Sequence, residues 1–372
     1  DLSRVLAGPY CSMLLADLGA DVVKVERPGE GDETRTWGPP YAGGEAAYFL
    51  SVNRGKRSVA VDLARPEGRD VVRRLARGAR VVLENFRSGG AAKLGVGYDD
   101  LAAENPDLVY CSITGFGSDR DPTRPGYDFV VQAESGLMAV TGEPDGPPLK
   151  VGVAVVDVLT GYAAATSILA ALAGGHGARL EVSLLDSALS ALVNVAESTL
   201  VTGAEPRRYG NAHPNIVPYQ TFAAADGQLA VAAANDGLYR RLCAVLERPD
   251  LAHDPRFETN PARVEHREAL IPELEREFSA RPAAEWLERL EAAGIPAGKV
   301  RGVAEALVES GATVGVEHPT AGPLLLPASP VRPADARPAP PPLLGQHTRE
   351  VLAEAGYDEA AVDALHRDGV VA

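Results

Sequence analysis

Residues 57–84 read RSVAVDLARPEGRDVVRRLARGARVVLE. Two short runs rich in β-branched residues, 57–62 (RSVAVD) and 80–84 (RVVLE), flank a segment whose apolar residues recur every three to four positions. The runs read as strands and the middle as a helix over 66–76. Pro66 stands at the first helical turn, where a missing N–H costs nothing. Strands separated by helices of this length imply a parallel sheet with helices on its faces.

The same pattern extends outward. Upstream, 9–18 reads as an amphipathic helix stopped by Gly19, and 21–26 (DVVKVE) as a strand. Downstream, 108–113 (LVYCSI) is a strand, a helix follows Asp157, 179–184 is a strand and 185–202 a long helix. The texture changes at 203–218 (GAEPRRYGNAHPNIVP), which is built of loop residues. Beyond it come a strand at 228–233, a helix at 237–246 and two charged helices at 262–279 and 283–293. The stretch 319–342 holds nine prolines, and the chain ends in a helical tail, 348–355 and 359–368, broken at Gly356. The expected fold is α/β: a large Rossmann-like domain with a parallel sheet over 1–203, a smaller α+β domain over 204–318, and an extended Pro-rich strap with C-terminal helices over 319–372 that returns to the large domain.

Composition narrows the function. The chain has 372 residues, 45% apolar and 23% charged, as globular proteins do. Its net charge of −15 argues against nucleic acid and anionic membranes as partners, since both require clustered Lys and Arg. Three scattered cysteines, Cys11, Cys111 and Cys243, offer no metal or redox spacing and suit a reducing, cytoplasmic setting. No secretory signal is visible. The chain opens at Asp1 in what reads as a strand end, so a few residues, including an initiator Met, are expected to precede it. Residues 151–175 are long and apolar enough to span a bilayer. Their Ala and Gly content, Thr160, Ser167 and the absence of flanking charged or aromatic belts favour a buried strand, a turn and a buried helix.

Common catalytic motifs are missing. Gly95-Val-Gly97 and Gly115-Phe-Gly117 lack the third glycine of a dinucleotide fingerprint, and Gly55-Lys56-Arg57-Ser58 lacks the P-loop's upstream glycine. There is no Gly-x-Ser-x-Gly elbow, and no His pairing that points to a metal. Asp157 stands out as a lone carboxylate in an apolar run where a helix begins. It reads equally as an N-cap and as a desolvated nucleophile. Lys24, Arg27 and Asn85-Phe86-Arg87 follow strand ends, where ligands of parallel sheets bind. These residues are either solvated loop charges or groups for a phosphorylated ligand, with Phe86 offering a flat face. Tyr127 is a hydrogen-bond donor or a packed ring. His213 faces a site or is structural. Thr348 reads as the cap of the last helices.

Taken in order, these stretches resemble the class III coenzyme A transferases, the group of formyl-CoA transferase and carnitine CoA-transferase. The marks are AGP (7–9), LLADLGADVVKVER (14–27), NRGKRS (53–58), ENFR (84–87), GYD (126–128), GLMAVTG (136–142), Asp157 with Gly161, YGNAHP (209–214), Arg256-Phe257 with Asn260 and Arg263, and LGQHT (344–348). The resemblance implies an interlocked homodimer, coenzyme A as substrate, and no permanently bound cofactor or metal. It implies Asp157 as nucleophile. Leu6, Ala7, Arg27, Val61, Asp62, Leu63, Ala64, Asn85, Phe86 and Arg87 are implied to hold coenzyme A. Lys93 stands where the family often has Arg, which keeps the charge and loses the planar fork. Gly126 and Tyr127 are implied to line the thioester end. The implied chemistry passes through an aspartyl–acyl anhydride and an aspartyl–CoA thioester.

Two alternatives remain. A 2-methylacyl-CoA racemase needs an acid and a base, yet this chain has Tyr127 where racemases carry His, and Asn235 where they carry Glu. A catalytically silent acyl-CoA-binding protein would keep the constellation without turnover. The glycine-rich substrate loop of formyl-CoA transferase is absent from 203–222, which disfavours an oxalate/formate pair. The Gly-Tyr-Asp form resembles members using succinyl-CoA and a dicarboxylate, with Arg207, Arg208 or His213 as candidates for the second carboxylate.

Overall fold

The computed structural model describes residues 1–331 and 338–372; the part of the Pro-rich stretch at 332–337 lies outside the described residues. The chain forms two compact units. One comprises Asp1–Leu137, Lys150–Ala204 and Gly311–Ala372, and the other Met138–Leu149 and Glu205–Ser310. Met138–Leu149 thus groups with the second unit, and the chain rejoins the first at Gly311, ahead of the prolines.

The first unit carries strands β1 (Val22–Glu26), β2 (Lys56–Ala60), β3 (Val81–Glu84), β4 (Val109–Thr114) and β5 (Ala178–Ser183). β1 pairs with β2, and β4 with both β3 and β5, all in parallel. The first two residues join the groups: the Asp1 amino group donates to Val23 O, Val25 N–H donates to Asp1 O, and Leu2 N–H donates to Leu83 O. The row is therefore β2–β1–(residues 1–2)–β3–β4–β5. Chain order reverses at its middle, which in doubly wound folds opens a crevice at the carboxyl ends of the strands.

Helices α1 (Ala7–Asp17), α2 (Pro66–Gly78), α3 (Asp128–Glu134), α4 (Val155–Gly174), α5 (Leu184–Ala191) and α6 (Val193–Thr202) connect or flank these strands. α1 and α4 pack closely because α4 has glycine at the contact. A Cβ on Gly161 would sit 2.9 Å from Ala7 O and 3.0 Å from Tyr10 Cδ1. The apolar stretch at 151–175 contains no strand: the helix starts at Val155 and buries Val156, Gly161, Ala164, Ala165 and Ile168. The long helix expected over 185–202 is two helices bent by 78°, with Val193 at φ 42° at the break.

Lys24 is not a ligand-facing base. Its ammonium is fully buried and donates to Ser3 O and Asp32 Oδ2, each at 2.9 Å. Beside it, Arg35 forks onto Glu26 (2.8 Å) and also reaches Glu45 (2.9 Å). Glu26 additionally accepts from Ser58 Oγ at 2.7 Å. Burial opposes the ionised carboxyls of Glu26 and Asp32, but these cations and hydrogen bonds hold both below the usual carboxylate range.

The start of the Pro-rich stretch is less extended than expected, because Thr313–His318 and Gly322–Pro327 form an antiparallel hairpin that takes up Pro319, Pro323 and Pro327. Thr348 does not cap its helix. Its hydroxyl accepts from Ala60 N–H (3.1 Å), and the C-terminal residues bond Asp62 N–H to Val370 O and Ala372 N–H to Ala60 O. The tail thereby satisfies backbone groups beyond β2 that would otherwise be orphaned.

The second unit has a three-stranded antiparallel sheet, Tyr219–Ala224, Gly227–Ala232 and Ala297–Lys299, covered by helices. Phe222 stacks on Phe278 at 4.6 Å, and Trp286 meets Phe278 edge-on. The helix expected over 262–279 breaks at His266 into Asn260–Glu265 and Arg267–Phe278. Asn235 caps the helix Asp236–Val245 by accepting from Leu238 N–H.

Removing one member of a buried ion pair strands the other without its counter-charge. Lys24→Met is expected to cost roughly 3–5 kcal/mol, read from urea unfolding. A Lys24→Met protein of wild-type stability would contradict this role.

Candidate functional site

A cavity of about 580 Å³ opens at the point where the strand order reverses. Residues 4–7 after the first extended residues, 85–88 after β3, 113–117 at the end of β4, the loop before Tyr127, and Asp157 form its wall. Leu6, Ala7, Asn85, Phe86, Arg87, Gly126, Tyr127 and Asp157 thus come together. Arg27, Val61–Ala64 and Lys93 lie outside this lining. Arg27 is exposed and paired with Glu30 at 3.0 Å. Val61 is buried, Asp62 accepts from Ala64 N–H (2.9 Å), and the Leu63 and Ala64 carbonyls accept from Arg69. Lys93 is exposed at the end of a short helix.

The wall at residues 4–7 is held under strain. Val5 has φ 70°, a left-handed conformation that costs a β-branched residue about 1–3 kcal/mol. Asp32 Oδ1 accepts from Val5 N–H at 3.3 Å. Asn85 pairs with the backbone of Arg4 in both directions, accepting from its N–H (2.9 Å) and donating to its carbonyl (2.7 Å). The Asn85 amide, expected to face a ligand, is therefore engaged in shaping the loop that presents Leu6 and Ala7.

Tyr127 reaches the cavity through two facing glycines. A Cβ on Gly126 would lie 2.4 Å from Gly115 Cα, so the backbones meet only because both residues lack one. The Tyr127 side chain is 55% exposed at the wall. Among the cations of the wall, Arg4 is paired with Glu33 at 2.6 Å, and Arg124 with Glu134. Arg87 has no carboxylate partner among the described residues.

Asp157 does not cap its helix. It is the third residue of α4, and the cap position is Ala154, which has no side-chain acceptor. The acceptor comes from α3: Asp128 Oδ1 takes the N–H of Val156 at 2.8 Å and that of Asp157 at 3.3 Å. Asp128 Oδ2 accepts from Gln132 Nε2 (2.6 Å), and Gln132 Oε1 accepts from Val151 N–H (2.8 Å). The segment carrying Asp157 hangs from α3 by these bonds. Burial, and then the neighbouring charge of Asp128, push the Asp157 carboxyl up to about 7. Such a carboxylate is poorly solvated yet still ionisable near neutrality, and it sits at a helix N-terminus that favours the anion.

Three residues were given no role in the sequence reading. Asp128 appears there only within the Gly-Tyr-Asp mark, and Gln132 follows it four residues on, an i, i+4 spacing on a helix. Tyr48, in the short helix Ala47–Val52, lies within the electrostatic reach of Asp157 and had no sequence signal. Arg208 and His213 belong to the second unit. Arg208 donates to the carbonyls of Ala139, Glu143 and Gly146 and acts as a backbone clamp rather than a free cation. His213 accepts from Asn215 N–H (3.0 Å) and tilts against Tyr219; burial and then Arg267 lower its pKa. Among the described residues, no cluster of three His, Cys, Asp or Glu side chains could hold a metal.

A raised carboxyl pKa weakens the native state as the group ionises. That contribution is intact below the unfolded value near 4 and is lost as pH climbs through about 7. Asp157→Asn is therefore expected to stabilise the protein at pH 8, on the order of a few kcal/mol, and far less at pH 4. Equal effects at both pH values would contradict the assignment.

The chain is similar to known proteins along nearly its whole length. Residues 1–348 match CoA-transferase family III. The chain is 42% identical to succinyl-CoA:glutarate CoA-transferase of Mus musculus, across 100% of this chain and 88% of that protein. It is 43% identical to succinate–glutarate CoA-transferase of Agrobacterium fabrum, across 95% and 93%. A CAIB/BAIF family protein from Brucella suis has a similar structure, with a TM-score of 0.82 and 42% identity over 95% of this chain and 97% of that one. The chain belongs to CoA-transferase family III and is a CoA-transferase.

Proposed function

We propose that this enzyme moves coenzyme A from succinyl-CoA to a dicarboxylic acid of glutarate type, with Asp157 as the covalent carrier. The placement of Asp157 carries the reading: it is a carboxylate in the wall of the switch-point cavity, desolvated enough to titrate near neutrality. The names of the mouse and Agrobacterium relatives support the donor and acceptor.

A carboxylate oxygen of Asp157 attacks the thioester carbon, the carbon–sulfur bond breaks, and the thiolate of coenzyme A leaves a mixed anhydride. The thiolate then attacks the aspartyl carbonyl and releases the donor acid, which leaves an aspartyl–CoA thioester. The acceptor carboxylate attacks that thioester, and the freed thiolate takes the new acyl group, regenerating Asp157. No step needs an external proton donor, because every leaving group is a carboxylate or a thiolate. Nucleophilic catalysis divides one difficult exchange into easier ones.

Leu6, Ala7 and Tyr127 border the thioester end, with Gly126 bringing Tyr127 into place. Arg87, which lacks a carboxylate partner, is the cation best suited to a phosphate, and Phe86 lies beside it in the wall. Arg27, Val61–Ala64 and Lys93 serve the outer part of the coenzyme beyond the cavity. Asn85 acts by shaping the Arg4–Val5 loop. A homodimer completes the reading, supported by the apolar side chains α6 leaves exposed, among them Leu200 and Val201. The three free cysteines, all buried, fit a cytoplasmic enzyme.

Asp157→Asn is expected to lower turnover by at least about 10³-fold while coenzyme A still binds in calorimetry. Retained turnover would overturn the reading. The wild-type kcat/KM should rise with pH as Asp157 ionises around 7, and Asp128→Asn should move that rise to lower pH by removing a neighbouring negative charge. An unmoved profile would separate the inflection from Asp157.

A further inference from the structure

Glu84 ends β3 and stands directly opposite Ser112 of β4 in the parallel ladder. Its side chain is buried, and both carboxylate oxygens accept hydrogen bonds. Oε1 accepts from Ser112 Oγ, and Oε2 accepts from the N–H of Phe86 at 2.8 Å. The first bond fixes the carboxylate to the neighbouring strand, and the second fixes the loop 85–88 to the carboxylate. This loop has open space on two sides. Phe86, Arg87 and Ser88 line the switch-point cavity, and they also line a second cavity of about 260 Å³ that has Glu84 and Ser112 in its wall. Packing therefore fixes the loop only in part, and hydrogen bonds decide its direction. Asn85 supplies them toward Arg4, and Glu84 supplies them toward β4. Glu181 on β5 holds the next wall segment in the same manner, accepting from Thr114 Oγ1 at 3.0 Å and from Ser118 N–H at 2.6 Å.

We propose that Glu84 is a positioning residue for coenzyme A: by holding the Phe86 N–H it sets the direction in which the loop presents the Phe86 ring and the Arg87 guanidinium to the cavity. This rests on the reading above that Phe86 and Arg87 contact the coenzyme. Glu84 acts through the loop and not on the reacting atoms. A carboxylate at this place gives a bond stronger than a neutral acceptor on an exposed loop would give. Without it, the Phe86 N–H loses its partner, and the loop is free to turn toward the second cavity. Arg87 has no carboxylate partner among the described residues, so its guanidinium follows wherever the backbone of the loop points. Glutamine can make the same two contacts, because its Oε1 accepts from the Phe86 N–H and its Nε2 donates to Ser112 Oγ. Leucine is close in size and can make neither.

Glu84→Leu is expected to raise the coenzyme A dissociation constant and the KM for succinyl-CoA about tenfold, with kcat at saturating thioester within about threefold of wild type. Glu84→Gln should restore affinity to within about threefold of wild type. Ser112→Ala removes only the tether of the carboxylate and should weaken coenzyme A binding about threefold; it carries the test where Glu84→Leu does not fold. Coenzyme A affinity of Glu84→Leu within about twofold of wild type would overturn the proposal. So would a fall in kcat at unchanged affinity, a Glu84→Gln protein that binds as weakly as Glu84→Leu, or a Ser112→Ala protein that binds as tightly as wild type. Arg87→Ala separates the two claims. Wild-type coenzyme A affinity in Arg87→Ala would defeat the reading of the loop, whereas weakened binding there beside wild-type binding in Glu84→Leu would defeat this inference alone.

Discussion

The Asp128 carboxylate is the constraint on which the site depends. It stands on α3, twenty-nine residues before Asp157, and accepts the backbone N–H groups that begin α4. Without it, α4 would start at Ala154 with orphaned donors and nothing to fix its entry. The same charge adds to burial, the larger cause, in raising the pKa of Asp157, so one side chain helps fix both the position and the protonation of the proposed nucleophile. Gln132 carries the bond network on to Val151, so the whole approach to α4 is suspended from one helix.

A second constraint supports the opposite wall. The fold places its crevice between β1 and β3, where residues 1–2 insert, and the chain leaves this point through Arg4 and Val5 in a conformation that valine resists. Lys24 and Asp32 hold that turn from beneath, and Asn85 clamps it from β3. Buried ion pairs contribute little net stability. Here they fix geometry: the Lys24–Asp32 pair underlies the loop, and Arg35 holds both Glu26 and Glu45.

Much of the fold was legible because its strands are short, buried and separated by periodic helices, as 57–84 shows. The sheet order was not, because residues 1–2 show no strand pattern and act only through backbone bonds. α4 was misread at its start for a related reason: its cap lies on another helix. The break at Val193 follows from a left-handed residue that no glycine announces. At the site, the residues following strand ends were legible as a group. Their division of labour was not: Lys24 and Arg208 read as free cations in the sequence, yet buried acceptors and carbonyls engage both. The roles of Asp128 and Gln132 became visible only through the tertiary hydrogen bonds that hold the start of α4.

The central claim is that Asp157 itself carries coenzyme A. The most direct measurement is the intact mass of the protein after mixing with succinyl-CoA, followed by peptide mapping of any adduct. The account predicts a gain of one coenzyme A less one water, on the peptide containing Asp157 and absent in Asp157→Asn. Turnover of the same thioester with no adduct at Asp157, or with the adduct on another residue, would contradict it.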